Sequence, residues 1–183
     1  MLLIVAATEP ELRGVTGLQG VESLACGIGP VDAAISVAAR LAHDPRPTAI
    51  LHLGIAGARR AAGLTLGTVV LGAGSSYEDT ASVLVERTAS PDAELLERAA
   101  AALPEAVHAV IGTSADVGGT AECDVEAMEG FAVLRAAELA GVPALEVRTI
   151  ANEVEEADRA LWDFTGALDR LEAVTPVLVQ ALG

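Results

Sequence analysis

The sequence predicts an α/β fold built on a largely parallel sheet with helices on both faces. Three observations carry that prediction. A continuous apolar run at residues 2–7 and further, predominantly apolar runs at 49–53 and 144–147 have the pattern of strands buried on both faces. Segments with apolar residues at helical spacing separate them, as crossover connections between parallel strands require. Just over half of the 183 residues are apolar, mostly Ala, Val and Leu with very few aromatics, enough for the core of one domain expected to span residues 1–183.

In chain order, residues 2–7 form the first strand, and Glu9-Pro10-Glu11 follows with Pro10 suited to a first helical turn. Residues 21–26 form a second strand, ended by Gly27-Ile28-Gly29-Pro30. Residues 31–42 have helical spacing in Val31, Ala34, Ile35, Ala38 and Leu41. Pro45 and Pro47 break the chain before the buried strand 49–53, which Gly54-Ile55-Ala56-Gly57 closes. A strand at 68–71 runs into a Gly-rich segment reaching Asp79, and Pro91 opens a helix to about Leu103. Residues 107–111 form a strand, and the small, polar, Gly-containing stretch 113–123 suits a binding loop. A helix is expected over 124–140, with Phe131 and Leu134 on one face, ended by Gly141 and Pro143. The strand 144–147 leads into a dense set of polar groups at 148–158. The remainder is helical to about Leu182, with a break before Pro176.

Charge and composition remove several classes of function. A formal net charge of −15 disfavours nucleic acid and acidic membrane surfaces as partners. The chain has no Lys, which excludes a Walker phosphate loop and a lysine Schiff base. Cys26 and Cys123 are isolated and read as free thiols of a reducing cytosol. The apolar start is seven residues long and runs into Glu9 and Glu11, so neither a signal peptide nor a membrane span is expected there. Gly27-Ile28-Gly29 lacks the third glycine of a dinucleotide fingerprint, because Asp32 stands in its place. His43, His52 and His108 are scattered without metal-ligand spacing, and no Gly-x-Ser-x-Gly elbow occurs. No metal and no cofactor are expected.

Polar residues gather just past strand ends, where open α/β sheets bind ligands. Glu11 follows the first strand, Glu129 stands beside Met128 early in the expected 124–140 helix, and Asn152 follows the 144–147 strand. All three can meet at one crevice, although each alone also fits a solvated or capping role.

At this point the residues resemble a known family. Ala6-Ala7-Thr8-Glu9-Pro10-Glu11 is similar to the N-terminal motif of the 5′-methylthioadenosine/S-adenosylhomocysteine nucleosidases. Cys26-Gly27-Ile28-Gly29-Pro30 with Asp32-Ala33-Ala34 resembles their next block, and Leu53-Gly54-Ile55-Ala56-Gly57-Ala58 their Gly-x-Ala-Gly loop. Asp124-Val125-Glu126-Ala127-Met128-Glu129-Gly130-Phe131 resembles their Met-Glu motif, and Arg148-Thr149-Ile150-Ala151-Asn152 their final block. Those nucleosidases carry Asp at the last position. Asn152, followed by Asp158-Arg159 and Trp162, is similar instead to the futalosine hydrolases of an alternative menaquinone pathway. The chain is shorter than typical members, with the loss placed between about Ser75 and Thr113.

The resemblance implies a three-layer αβα nucleoside phosphorylase/hydrolase-like fold, a small nucleoside substrate, a cytoplasmic location and a homo-oligomer, either a dimer or a dimer of dimers. It implies that Glu11 and Asn152 are catalytic and that Met128, Glu129, Arg148, Ile55 and Phe131 bind substrate. Glu11 would deprotonate water at the anomeric carbon, Glu129 would accept from the ribose hydroxyls, and Met128 would pack on the sugar. A 6-oxopurine offers acceptors at O6 and N7, which a carboxylate repels and an Asn amide satisfies, so Asn152 favours hypoxanthine or guanine as leaving base. Futalosine also carries a benzoate-type carboxylate, for which Arg59, Arg60 and Arg159 are candidate partners. Three alternatives stand beside this reading: a 6-oxopurine nucleoside phosphorylase, the adenine-releasing nucleosidase, and a non-catalytic nucleoside-binding protein.

Overall fold

The computed structural model describes residues 1–120 and 122–183; Ala121, within the expected 113–123 loop, lies outside the described residues. Strand β1 (Leu2–Ala6) pairs in parallel with β2 (Val21–Ala25) on one side and β3 (Ala49–Ala58) on the other. Beyond β3 lies β8 (Ala144–Glu153), parallel to it, then β4 (Val69–Tyr77), antiparallel to β8, then β6 (Val107–Thr113), parallel to β4. The three-residue β7 (Val125–Ala127) pairs with both β6 and β3. The circuit β3–β8–β4–β6–β7 therefore closes on itself, and β5 (Thr88–Ala89) edges β4. The sheet is mixed and largely parallel.

Alternation along β1 shows how the layers form. Leu2, Ile4 and Ala6 face one core with α2 (Ala93–Ala102) and α4 (Phe164–Leu182), whereas Leu3 and Val5 face another with α1 (Pro30–Leu41) and α3 (Gly130–Ala140). A strand covered on both sides must be apolar at every position, which is why 2–7 reads as an unbroken run. A third cluster, including Ala56, Val70, Ile111, Val125 and Ile150, fills the closed circuit of strands. Among the described residues no helix is long and apolar enough to cross a membrane.

Several boundaries differ from the sequence reading. The expected 124–140 helix is two elements, because Val125–Ala127 is captured between β3 and β6 and helix geometry begins only at Gly130. Strand β3 continues through the glycine loop to Ala58, and β8 continues to Glu153, so Arg148 and Asn152 lie within a strand. Pro176 does not break α4. Thr175 Oγ1 donates to the Leu171 carbonyl at 2.8 Å, and Gly14, without a side chain, packs against the Glu172 carbonyl that Pro176 leaves without a donor. Helix α1 buries Ala33, Val37 and Leu41, leaving Val31 (67% exposed) and Ile35 (64%) outside.

Candidate active site

A cavity of about 600 Å³ opens just past β1, beside the later residues of β3, β7 and β8. Glu11, Ile55, Met128, Glu129, Arg148 and Asn152 all line it. Phe131 does not. Helix α3 starts one residue earlier, and its first turn carries Phe131 away to stack on Tyr77 at 5.3 Å, in a separate apolar groove between α1 and α3.

Glu11 comes from the short 3-10 helix Glu9–Val15, which Pro10 starts. One of its oxygens accepts from the Thr8 amide (2.9 Å) and hydroxyl (2.8 Å), and the other from the Ile55 amide at 3.1 Å. The oxygen facing Ile55 keeps a lone pair, so the carboxylate is fixed in direction yet able to accept from water. Glu129 caps α3 and is 3% exposed. Its Oε1 accepts from the Gly29 amide at 3.0 Å, delivered by a Gly29 at φ +93°, a conformation that favours glycine. Its Oε2 lies 3.4 Å from Arg148 Nη2.

Arg148 is buried entirely, which only paired charge permits. Its Nε donates to Glu146 Oε1 at 2.8 Å, and its Nη2 lies 3.2 and 3.4 Å from the His52 ring nitrogens. Its Nη1 lies against the backbone of Gly54, where a Cβ would overlap it. Burial alone disfavours the guanidinium charge, but the carboxylates of Glu146, Glu129 and Glu11 more than offset this and hold it above the ordinary range. Burial, helped by the Arg148 charge, pushes His52 well below the ordinary imidazole range, so that ring is neutral. Burial likewise raises the Glu146 carboxyl, against the pull of Arg148. Burial also pushes the Cys26 thiol up to about 11, with the Glu129 charge adding to it.

Asn152 sits where the β3–β8 register shifts, a bulge that sets Gly57 opposite it. Its Nδ2 donates to the Glu153 carbonyl at 3.0 Å, which leaves a second N–H and Oδ1. Gly57 makes room, since a Cβ there would stand 3.0 Å from Nδ2.

Of the other lining residues, Arg159 and Trp162 were singled out in the sequence, whereas Asp116, Val117, Glu126, Phe164 and Leu168 were given no role there. Glu126 on β7 holds the 118–120 turn through the Gly118 amide (2.6 Å) and the Thr120 hydroxyl (2.8 Å), which seats Asp116 and Val117 on the rim. Trp162, Phe164 and Leu168 form an apolar wall, with Arg159 stacked 5.3 Å over the Trp162 ring. Glu146 and His52 leave a signal in the sequence: each is a polar residue within a strand otherwise apolar on both faces. Among the described residues no group of acids, His and Cys could hold a metal.

A closed mixed sheet between two helical layers, with a cavity at its strand ends lined by fixed carboxylates, defines a nucleoside-processing class of protein. The chain belongs to the phosphorylase superfamily, whose sequence model matches residues 12–182. It is 33% identical to a futalosine hydrolase of Streptomyces coelicolor, an alignment covering 87% of this chain and 80% of that one. Its fold is that of a Streptococcus pneumoniae MTA/SAH nucleosidase solved with 8-aminoadenine (TM-score 0.86, 22% identity, 99% of both chains). It is likewise that of a Helicobacter pylori futalosine hydrolase (TM-score 0.87, 14% identity, 99% of this chain and 97% of that one).

Proposed function

We propose that this chain hydrolyses the N-glycosidic bond of futalosine, releasing hypoxanthine and dehypoxanthine futalosine in menaquinone biosynthesis. The observation that carries the reading is the convergence of Glu11, Glu129 and Asn152 on one cavity sized for a nucleoside. The 33% identity to a futalosine hydrolase supports the choice of substrate.

Bond cleavage builds positive charge on the ribose and negative charge on the departing base. Glu11 takes the proton of the attacking water. Glu129 accepts from the ribose hydroxyls, and its charge favours the cationic sugar. Met128 packs on the sugar, and the unused N–H of Asn152 donates to the base. Two lining carboxylates, Glu11 and Glu129, face one lining guanidinium, Arg148, so the site is net negative on the sugar side.

Phosphorolysis fits less well. Arg60 pairs with Glu153 at 2.8 Å, Arg59 donates to the Cys123 carbonyl at 3.0 Å, and neither lines the cavity to clamp phosphate. Arg159 does line it and has no acidic partner within ion-pair distance among the described residues, which favours it over those two for the substrate carboxylate. A second copy of this chain is the proposed partner for the exposed apolar face of Val31, Ile35 and Leu139, and the enzyme is proposed to act in the cytoplasm.

The test is to incubate the protein with futalosine, inosine and methylthioadenosine, with and without phosphate, and to identify the base released. Phosphate-independent hypoxanthine release from futalosine is expected. Adenine release from methylthioadenosine with no action on futalosine would overturn the reading.

A further inference from the structure

We propose that Glu146 is a positioning residue that engages Arg148 so that the Glu129 carboxylate stays available to the ribose. The inference rests on the nucleoside hydrolase reading and adds to it a residue that touches no substrate.

Arg148 has two carboxylate neighbours at unequal range. Glu146 Oε1 accepts from Nε at 2.8 Å, whereas Glu129 Oε2 lies 3.4 Å from Nη2. The cation is thus held to the carboxylate behind the cavity and only leans on the one inside it. Glu129 in turn takes its single short hydrogen bond from the Gly29 amide, a neutral donor. His52, the other side chain against Arg148, is uncharged and brings no second cation to either carboxylate.

The arrangement is kept at a cost. Glu146 is fully buried, and its Oε2 has no hydrogen-bond partner among the described residues. The fold makes room for it with Gly130, where a Cβ would overlap the carboxylate. A buried ion pair is a weak source of stability, so stability alone does not account for retaining one with an unpaired oxygen. Its effect on Glu129 does. With Glu146 neutral, the buried guanidinium retains Glu129 and Glu11 as its nearby anions and is drawn onto Glu129. That carboxylate would then spend its charge on arginine instead of on the developing ribosyl cation.

The experiment compares binding of two nucleoside analogues, one with a protonated nitrogen in place of the ribose ring oxygen and one with a neutral carbon there, to the wild type and to Glu146→Gln. Preference for the cationic analogue should fall about tenfold in Glu146→Gln, within the coupling range for residues in one ionic network, with free hypoxanthine binding unchanged. Glu146→Asp, which keeps the charge but withdraws it by a methylene, should lie between the two and serves alone if Glu146→Gln does not fold. An unchanged preference in whichever variant folds overturns the inference, as does equal weakening of both analogues and hypoxanthine. If the wild type binds neither analogue, the nucleoside reading itself fails, a separate outcome.

Discussion

Gly54→Ala adds one methyl group at the point where two site residues meet the backbone of β3. Gly54 does not adopt positive φ, so alanine brings no backbone strain. At such a position the change would ordinarily stabilise the chain by about 0.4–1 kcal/mol through the unfolded state. Here the new Cβ overlaps Arg148 Nη1 and stands 3.0 Å from both Arg148 Cζ and Glu11 Oε1. Moving the guanidinium away disrupts its contacts with Glu146, Glu129 and His52. Overpacking of this kind costs about 1–3 kcal/mol, so at the middle of both ranges the sign reverses and a net loss of about 1–2 kcal/mol remains. For a chain of this length that lowers Tm by about 2–8 °C. Displacing Arg148 and Glu11 by about 1 Å should reduce kcat/KM by about 10²-fold. Calorimetry and steady-state hydrolysis on the same preparation check both numbers. A variant as stable as the parent with unchanged turnover would refute the argument that Gly54 exists to admit Arg148.

Glu11→Gln should lower kcat by about 10²–10⁴-fold while nucleoside affinity, measured by calorimetric titration, is largely kept; unchanged turnover removes its role as base. Asn152→Asp should shift base preference from 6-oxopurine toward 6-aminopurine, read as the ratio of hypoxanthine to adenine released from paired nucleosides. A constant ratio would leave Asn152 a loop residue. His52 gives a pH signature: the unfolded chain protonates it near pH 6.5, and the folded chain does so only at much lower pH. The unfolded state therefore binds more protons below pH 6.5, and the stability gained from a neutral buried His52 is full above that pH and declines as pH falls. Relative to His52→Gln, wild-type unfolding free energy should drop by about 1.4 kcal/mol between pH 7.5 and 5.5; a constant difference would mean that the ring is not held neutral.

Much of the architecture was legible because β1 and the first halves of β3 and β8 are buried on both faces and write that fact as predominantly apolar runs, continuous in β1. The 124–127 stretch misled because three residues of strand carry no period of their own; pairing with β3 and β6 is tertiary information. Arg148 and Asn152 read as loop residues because polar side chains usually end a strand, whereas here the cavity lies beside the strand and β8 runs on under it. Glu11 and Asn152 were singled out by type and place after strands, and Glu129 by its place beside Met128 early in the expected helix; all three line the cavity. Phe131 was misplaced because one helical residue turns a side chain by roughly 100°, enough to move it from cavity to groove. Glu146 could have been suspected from its charge inside an apolar strand, but its partner two residues on, Arg148, was assigned to the loop.

The most direct test of the account is a crystal structure with hypoxanthine and a cationic ribose analogue bound together. The account predicts Glu129 on the 2′- and 3′-hydroxyls, the Asn152 amide on O6 or N7 of the base, and a water between Glu11 and the anomeric position. A nucleoside seated with its sugar away from Glu129, or in the groove between α1 and α3, would contradict it.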